Sequence, residues 1–247
     1  MKALRFDDTL AEAHISLARI KEFYDWDWSG AEREFKRAIE LDPNSALAHQ
    51  EYGQYLAHIG RSDEAIAEAR HGLELDPLSF QTNAAFVWAL ICDRQYDQAI
   101  EQCGKVLEID PNYAWAYYWM GVANQGKGTY DESIAELQKA ITLARENPGG
   151  FKAKLGQVYG FAGRRDDAEK VLAELKELSK QRRRVIPALF AIVYIGLGEK
   201  DQAFAWLEKS YQERERSMVL LKTSPTYEAL HSDPRCADML RRIGLPP

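Results

Sequence analysis

The side chains that could do chemistry are few and scattered. The five histidines are His14, His49, His58, His71 and His231, and the three cysteines are Cys92, Cys103 and Cys236. A zinc hydrolase needs two histidines one helical turn apart with a glutamate between them, and no His-Glu-x-x-His occurs. Neither the Gly-x-Ser-x-Gly nucleophile elbow nor a phosphate-binding glycine loop is present. Gly126-Lys127-Gly128 has the composition of such a loop but falls where a turn between two helices is expected. Without a Cys-x-x-Cys a structural zinc site has no ligands at the usual spacing. Cys92 and Cys103 fall on consecutive helical segments and read as buried free thiols. Neither enzyme activity nor a cofactor is predicted.

The elements that would have to position these groups carry more information. The chain has 247 residues, 46% hydrophobic and 28% charged, enough for a sizeable core. A net charge of −6 speaks against nucleic-acid binding by the chain as a whole. Residues 1–8 hold no apolar run of the kind a signal peptide needs. The longest apolar stretch, residues 185–198, is broken by Pro187 and falls short of the roughly 20 residues of a spanning helix. No membrane segment is predicted, and the expected location is the cytoplasm.

Internal repetition organises the chain. Asp42-Pro43, Asp76-Pro77 and Asp110-Pro111 recur at intervals of 34 residues, each after an apolar turn such as Ile39-Glu40-Leu41. Ala31, Ala65 and Ala99 precede them at a fixed distance, behind turn signals such as Gly60-Arg61-Ser62. Small residues at facing positions let two antiparallel helices approach closely, and proline ends one helix because it lacks the donor that would continue the ladder. Thr9 with Glu12, Ser29 with Glu32 and Thr129 with Glu132 have capping-box spacing and predict three helix starts.

The pattern resembles the tetratricopeptide repeat, a helix-turn-helix unit of 34 residues. The second repeat carries the family's small and proline positions as Gly53, Ala65, Gly72 and Pro77. The third carries Ala99 and Pro111 but has Val87 and Val106 at the small positions; the fourth has Gly121 and Ala140, with Ser133 in place of alanine and its proline displaced to Pro148. The first repeat fits around Ala18, Ala31, Phe35 and Ala38 with one extra residue in the turn Tyr24-Asp25-Trp26-Asp27-Trp28. Weaker fifth and sixth repeats show Gly156 and Ala168, then Ala191 and Ala203. The resemblance implies an all-α fold: a right-handed superhelical solenoid of about six helix-turn-helix units. Their bounds would be 9–43, 44–77, 78–111, 112–147, 148–182 and 183–216. Residues 1–8 align with the end of a preceding repeat.

Residues 217–247 are expected to form a helical cap, with Met218 to Leu221, Tyr227 to Leu230 and Pro234 to Ile243 as short helices covering the sixth repeat. This closing segment resembles that of many large bacterial tetratricopeptide proteins, in which the repeats follow a kinase, a nucleotide cyclase or a winged-helix domain. The chain is accordingly expected to be the carboxyl-terminal part of a longer protein.

The resemblance also implies a function: a non-enzymatic scaffold whose first helices line a concave groove that takes a peptide or protein segment. By register, that wall holds Arg19, Gln50, Gln54, Trp88, Trp115, Tyr118, Trp119 and Gln157. The aromatics among them sit outside the positions the repeat needs for its own core, and rings of this kind anchor binding sites. The family's clamp for a terminal carboxylate is not predicted, because its sites hold Ile15, Arg19, Glu51, Gln81 and Ala85. Residues 1–150 carry a net charge of −11 and residues 151–247 a net of +5, concentrated at Arg182, Arg183 and Arg184. That asymmetry suits head-to-tail self-association or steering of a partner, and the alternative function is a homo-oligomerisation module of a multidomain bacterial kinase, cyclase or transcription regulator.

Overall fold

The computed structural model describes residues 9–144, 149–180 and 185–245. The expected remnant at residues 1–8, Pro148 and the Arg182–Arg184 run lie outside the described residues. Among the described residues there are α-helices, short π and 3-10 segments, and no strand. The helices pair as α1 (Ala11–Ile20) with α2 (Trp28–Leu41), α3 (Ala46–Ile59) with α4 (Ser62–Leu75), and α5 (Phe80–Cys92) with α6 (Tyr96–Ile109). Then come α7 (Ala114–Lys127) with α8 (Tyr130–Leu143), α9 (Gly149–Phe161) with α10 (Arg165–Lys180), and α11 (Pro187–Gly196) with α12 (Lys200–Gln212). First helices also touch the first helices of the next pair, as α3 does α5 and α9 does α11. This stacking makes a helical solenoid.

Small residues set the spacing within and between pairs. Ala18, Ala31, Ala65, Ala99 and Ala168 have no exposed surface. A Cβ on Gly53 would stand 2.9 Å from the backbone nitrogen of Ala69, so α3 and α4 meet backbone to backbone. Ser133, the departure from alanine in the fourth repeat, donates its hydroxyl to the Gly121 carbonyl at 2.6 Å and is fully buried. The pair therefore keeps its close approach and satisfies the extra polar group. The extra residue of the first repeat is absorbed by a π-helical stretch, Lys21–Asp25, which ends on Trp26 in the left-handed region at φ 54°.

The capping boxes are corrected by the structure. The N-cap of α1 is Leu10, not Thr9. At α2 the cap is Asp27, whose carboxylate accepts from the Gly30 nitrogen at 2.9 Å, so Ser29 already lies inside the helix. Thr129 does occupy the cap of α8, but its hydroxyl donates to the Asn124 carbonyl instead of accepting from the helix. Serine caps stand at Ser45 and Ser79.

The chain after α12 forms two 3-10 turns, Arg216–Leu220 and Glu228–Leu230, and α13 (Pro234–Arg242). Met218, Leu221, Tyr227, Leu230, Met239 and Leu240 share one core with Ala191, Ile195, Phe204 and Leu207 of the sixth pair. Leu220 packs against that core and against the core that runs from α1 to α7 as well. The two ends of the solenoid meet: Trp28 Nε1 donates to the Ile243 carbonyl at 2.6 Å, and Trp26 stacks on Tyr211 with ring centroids 5.2 Å apart.

Candidate functional site

The concave face is crossed by the chain's own segment 216–231. Glu215 starts the crossing by accepting from the Ala188 nitrogen at the first turn of α11, at 3.2 Å. In the middle, Lys154 and Gln157 on α9 hold Thr226. Lys154 Nζ donates to Thr226 Oγ1 at 2.9 Å and to Gln157 Oε1 at 2.9 Å, and Gln157 Nε2 donates to the Thr226 carbonyl at 2.7 Å. Lys154 is 1% exposed and Gln157 fully buried. Burial lowers the ammonium of Lys154 to about 7, because its charge has lost water without gaining an anion. On the far side Arg94 binds both oxygens of Glu228 at 2.8 and 2.7 Å, and Cys92 Sγ lies 3.7 Å from the Thr223 hydroxyl.

The crossing segment is packed into the solenoid. Met218, Val219, Leu221, Tyr227 and Leu230 are all at most 2% exposed. Burial favours the crossing by about 1.5–3 kcal/mol per side chain, against the entropy of ordering the segment.

What remains open is a cavity of about 470 Å³ between the segment and the first helices. Its wall is a stack of rings. Trp88 and Trp119 stand 5.5 Å apart between centroids, Trp115 and Trp119 6.0 Å, and Tyr118 and Trp119 4.9 Å; Phe151 backs Trp115 and Tyr118 at 4.8 and 4.7 Å. The indole N–H groups of Trp88 and Trp119 are sealed without an acceptor, so the wall presents ring surface to the cavity. Burial pushes the Tyr118 phenol up to about 12. Leu189 and Ile192 of α11 face the stack, and Val219, Leu220 and Tyr227 close the other side.

The structure brings Gln54, Trp88, Trp115, Tyr118 and Trp119 together on this cavity. Trp88 is 7% exposed, at the back; Trp115 is 47% exposed, at the rim. Arg19, Gln50 and Gln157 stand apart from it. Arg19 pairs with Glu51 at 3.2 Å, Gln50 is buried in α3, and Gln157 is engaged by Thr226 as above. Sequence reasoning missed Phe23 and the 216–227 side of the cavity. The available signal was the run Met218, Val219, Leu220, Leu221, Tyr227 and Leu230, more apolar surface than the end of one helix pair can cover. Among the described residues no three His, Cys, Asp or Glu side chains gather as a metal site would require. No helix among them is long and apolar enough to cross a membrane.

Family models for the tetratricopeptide repeat match residues 34–67 and 116–147, and a TPR repeat model matches residues 95–128. The chain carries tetratricopeptide repeats. Among solved structures it is similar to a thermophilic TPR protein of Thermus thermophilus, at 15% identity and a TM-score of 0.59, over 81% of this chain and 99% of that one. It is also similar to PilW, a type IV pilus biogenesis factor, at 20% identity and a TM-score of 0.57, over 85% and 96%. PilF of Pseudomonas aeruginosa matches at 14% identity and a TM-score of 0.55, over 87% and 96%. At such identities these likenesses establish the solenoid and nothing about partners. No curated protein matches the chain by sequence. As a tetratricopeptide repeat protein it has the architecture of a protein-interaction scaffold.

Proposed function

We propose that this repeat protein is a non-enzymatic scaffold that holds a protein partner by one apolar side chain inserted into the aromatic cavity, not by an extended peptide laid along the groove. The observation that carries this reading is the segment 216–231, which bars the groove to a through-running backbone but leaves about 470 Å³ against Trp88, Trp115 and Trp119. A buried aromatic wall with one exposed ring at its mouth is the arrangement of an anchor pocket, in which a few side chains carry most of the binding energy. The scaffold would serve inside a larger regulatory protein.

The test is a displayed library of ten-residue peptides selected on the wild-type protein. Selected peptides should share one aromatic or branched aliphatic residue. Trp115→Ala and Trp119→Ala should each weaken them at least tenfold while leaving the far-ultraviolet circular dichroism unchanged. No enrichment, or peptides indifferent to both substitutions, would remove the cavity as the partner site. Sedimentation of the wild type at several concentrations reads the alternative, since a dimer that blocks the selected peptides assigns the cavity to a second copy.

A further inference from the structure

The cavity has a polar end that an apolar anchor leaves unused. His58 lies in its wall at 4% exposed, with Nδ1 2.6 Å from the Glu22 carboxylate. Nε2 of the same ring makes no hydrogen bond among the described residues and is not sealed, so it is left to the cavity that the ring lines. Beside it, 6.1 Å between ring centroids, stands Phe23, and over Phe23 at 4.3 Å lies the guanidinium of Arg216. Arg216 has no hydrogen bond or ion pair among the described residues. The two carboxylates nearby are already engaged, Glu51 by Arg19 and Glu22 by His58. One cationic group and one imidazole nitrogen are left facing the same end, together with the Gln54 amide.

We propose that the cavity binds a small apolar carboxylic acid, its hydrocarbon body against Trp88, Trp119, Leu189 and Ile192 and its carboxyl group at His58 and Arg216. The volume falls in the range of small-ligand sites, roughly 300–1,000 Å³, whose walls are apolar with a few polar groups fixing orientation. A carboxyl group suits this end in either protonation state. Its acid proton can bridge to Nε2, or its oxygens can accept from the imidazole and the guanidinium. An alcohol leaves the arginine unpaired, and an alkylamine puts a second cation against it. The crossing segment favours a free acid over a long polypeptide, because the cavity is closed on that side. The inference rests on the cavity being a working site, as proposed above. A bound acid would fill the space a partner's side chain needs and so would regulate the scaffold.

Calorimetric titration of the full chain with decanoate, decanol and decylamine, below micelle-forming concentrations, tests this. Decanoate should bind one per chain and at least tenfold more tightly than decanol. Arg216→Gln, at an exposed position, should lose most of that preference and leave decanol unchanged. His58→Gln, checked for folding by circular dichroism, should also reduce it. Decanol binding as well as decanoate, or a preference that survives Arg216→Gln, would overturn the carboxylate assignment. Tighter binding of an octapeptide with a free apolar terminus than of decanoate would overturn the assignment to a free acid. The library-selected peptides serve as a parallel probe. If they bind through Trp119 while no fatty acid does, this inference falls alone; if neither binds, the anchor-pocket reading falls with it.

Discussion

Nε2 of His49 donates to the carbonyl of Pro43 at 3.0 Å, pinning the first turns of α3 to the linker before it. Later repeats make the same bond with different chemistry. Asn83 Nδ2 donates to the Pro77 carbonyl at 3.0 Å, and Tyr117 Oη to the Pro111 carbonyl at 3.1 Å. Behind the pin a second bond reaches the paired helix: His14 to Glu34 at 2.7 Å, His49 to Glu68 at 2.6 Å, and Gln102 Nε2 to Asn83 Oδ1 at 2.6 Å. These positions are conventionally packing sites, and at His49 and Asn83 the side chain is a polar tie bonded both to the linker and to the paired helix. Asn83→Leu would strand the amide of Gln102, which is buried, and remove the donor to the Pro77 carbonyl, and should cost about 2–3 kcal/mol in urea denaturation. Tyr117→Phe, where the bond is exposed, should cost less than about 1 kcal/mol. Equal effects at the two positions would mean that burial of the tie is not what matters.

The junction of the fifth and sixth pairs depends on glycine. A Cβ on Gly160 would lie 2.3 Å from the carbonyl carbon of Gly196, and one on Gly196 would lie 2.2 Å from the carbonyl oxygen of Gln157. These are backbone atoms that no rotamer change can move aside. Gly160→Ala and Gly196→Ala should each destabilise by about 3 kcal/mol or more, by separating α9 from α11. Gly104, inside α6 with nothing within 4 Å of its Cβ position, is the control. Gly104→Ala should stabilise by about 0.5–1 kcal/mol, since it only removes backbone freedom from the unfolded chain. Thermal melts of the three variants check both signs.

The helix pairs and the aromatic wall were legible because both follow from short-range regularity. A period of 34 residues places Trp88 and Trp119 on successive first helices, and the same register brings Gln54 and Tyr118 to the same face. The crossing of the groove was not legible. It rests on contacts such as Lys154 with Thr226, 72 residues apart, and Trp28 with Ile243, 215 apart. Those depend on the summed curvature of six pairs, which no single repeat encodes. The capping boxes misled for a local reason: an aspartate two residues upstream of Ser29 reaches the same donors first.

The meeting of the two ends is testable at Trp28. Its indole N–H is bound to the Ile243 carbonyl, and its ring lies beside Gly244, whose φ of 76° turns the chain there. Trp28→Phe keeps a ring and removes the donor. The expected cost is about 1–2 kcal/mol, with hydrogen exchange accelerated in α13 and unchanged in α5 to α8. Uniform acceleration through all helices would mean that the contact supports the whole solenoid and not its closure.

Lys154 makes stability depend on pH in a defined window. Its folded value is lowered to about 7 from an ordinary 10.5. Between those values the unfolded chain holds a proton that the folded chain does not, so stability rises with pH across the window. Below about pH 7 the folded lysine is charged and its desolvation penalty is present in full; by pH 10.5 the penalty is gone. The full span is on the order of 5 kcal/mol. Lys154→Met removes the titration, at the cost of one hydrogen bond to Thr226 and one to Gln157. It should be more stable than the wild type at pH 6–7 by about 1–3 kcal/mol, with the advantage shrinking or reversing by pH 10. Every other titratable side chain is common to both proteins, so the difference between the two stability curves isolates the lysine. Curves that run parallel from pH 6 to 10 would show that Lys154 keeps its proton in the fold and that the Thr226 latch is held by an ammonium.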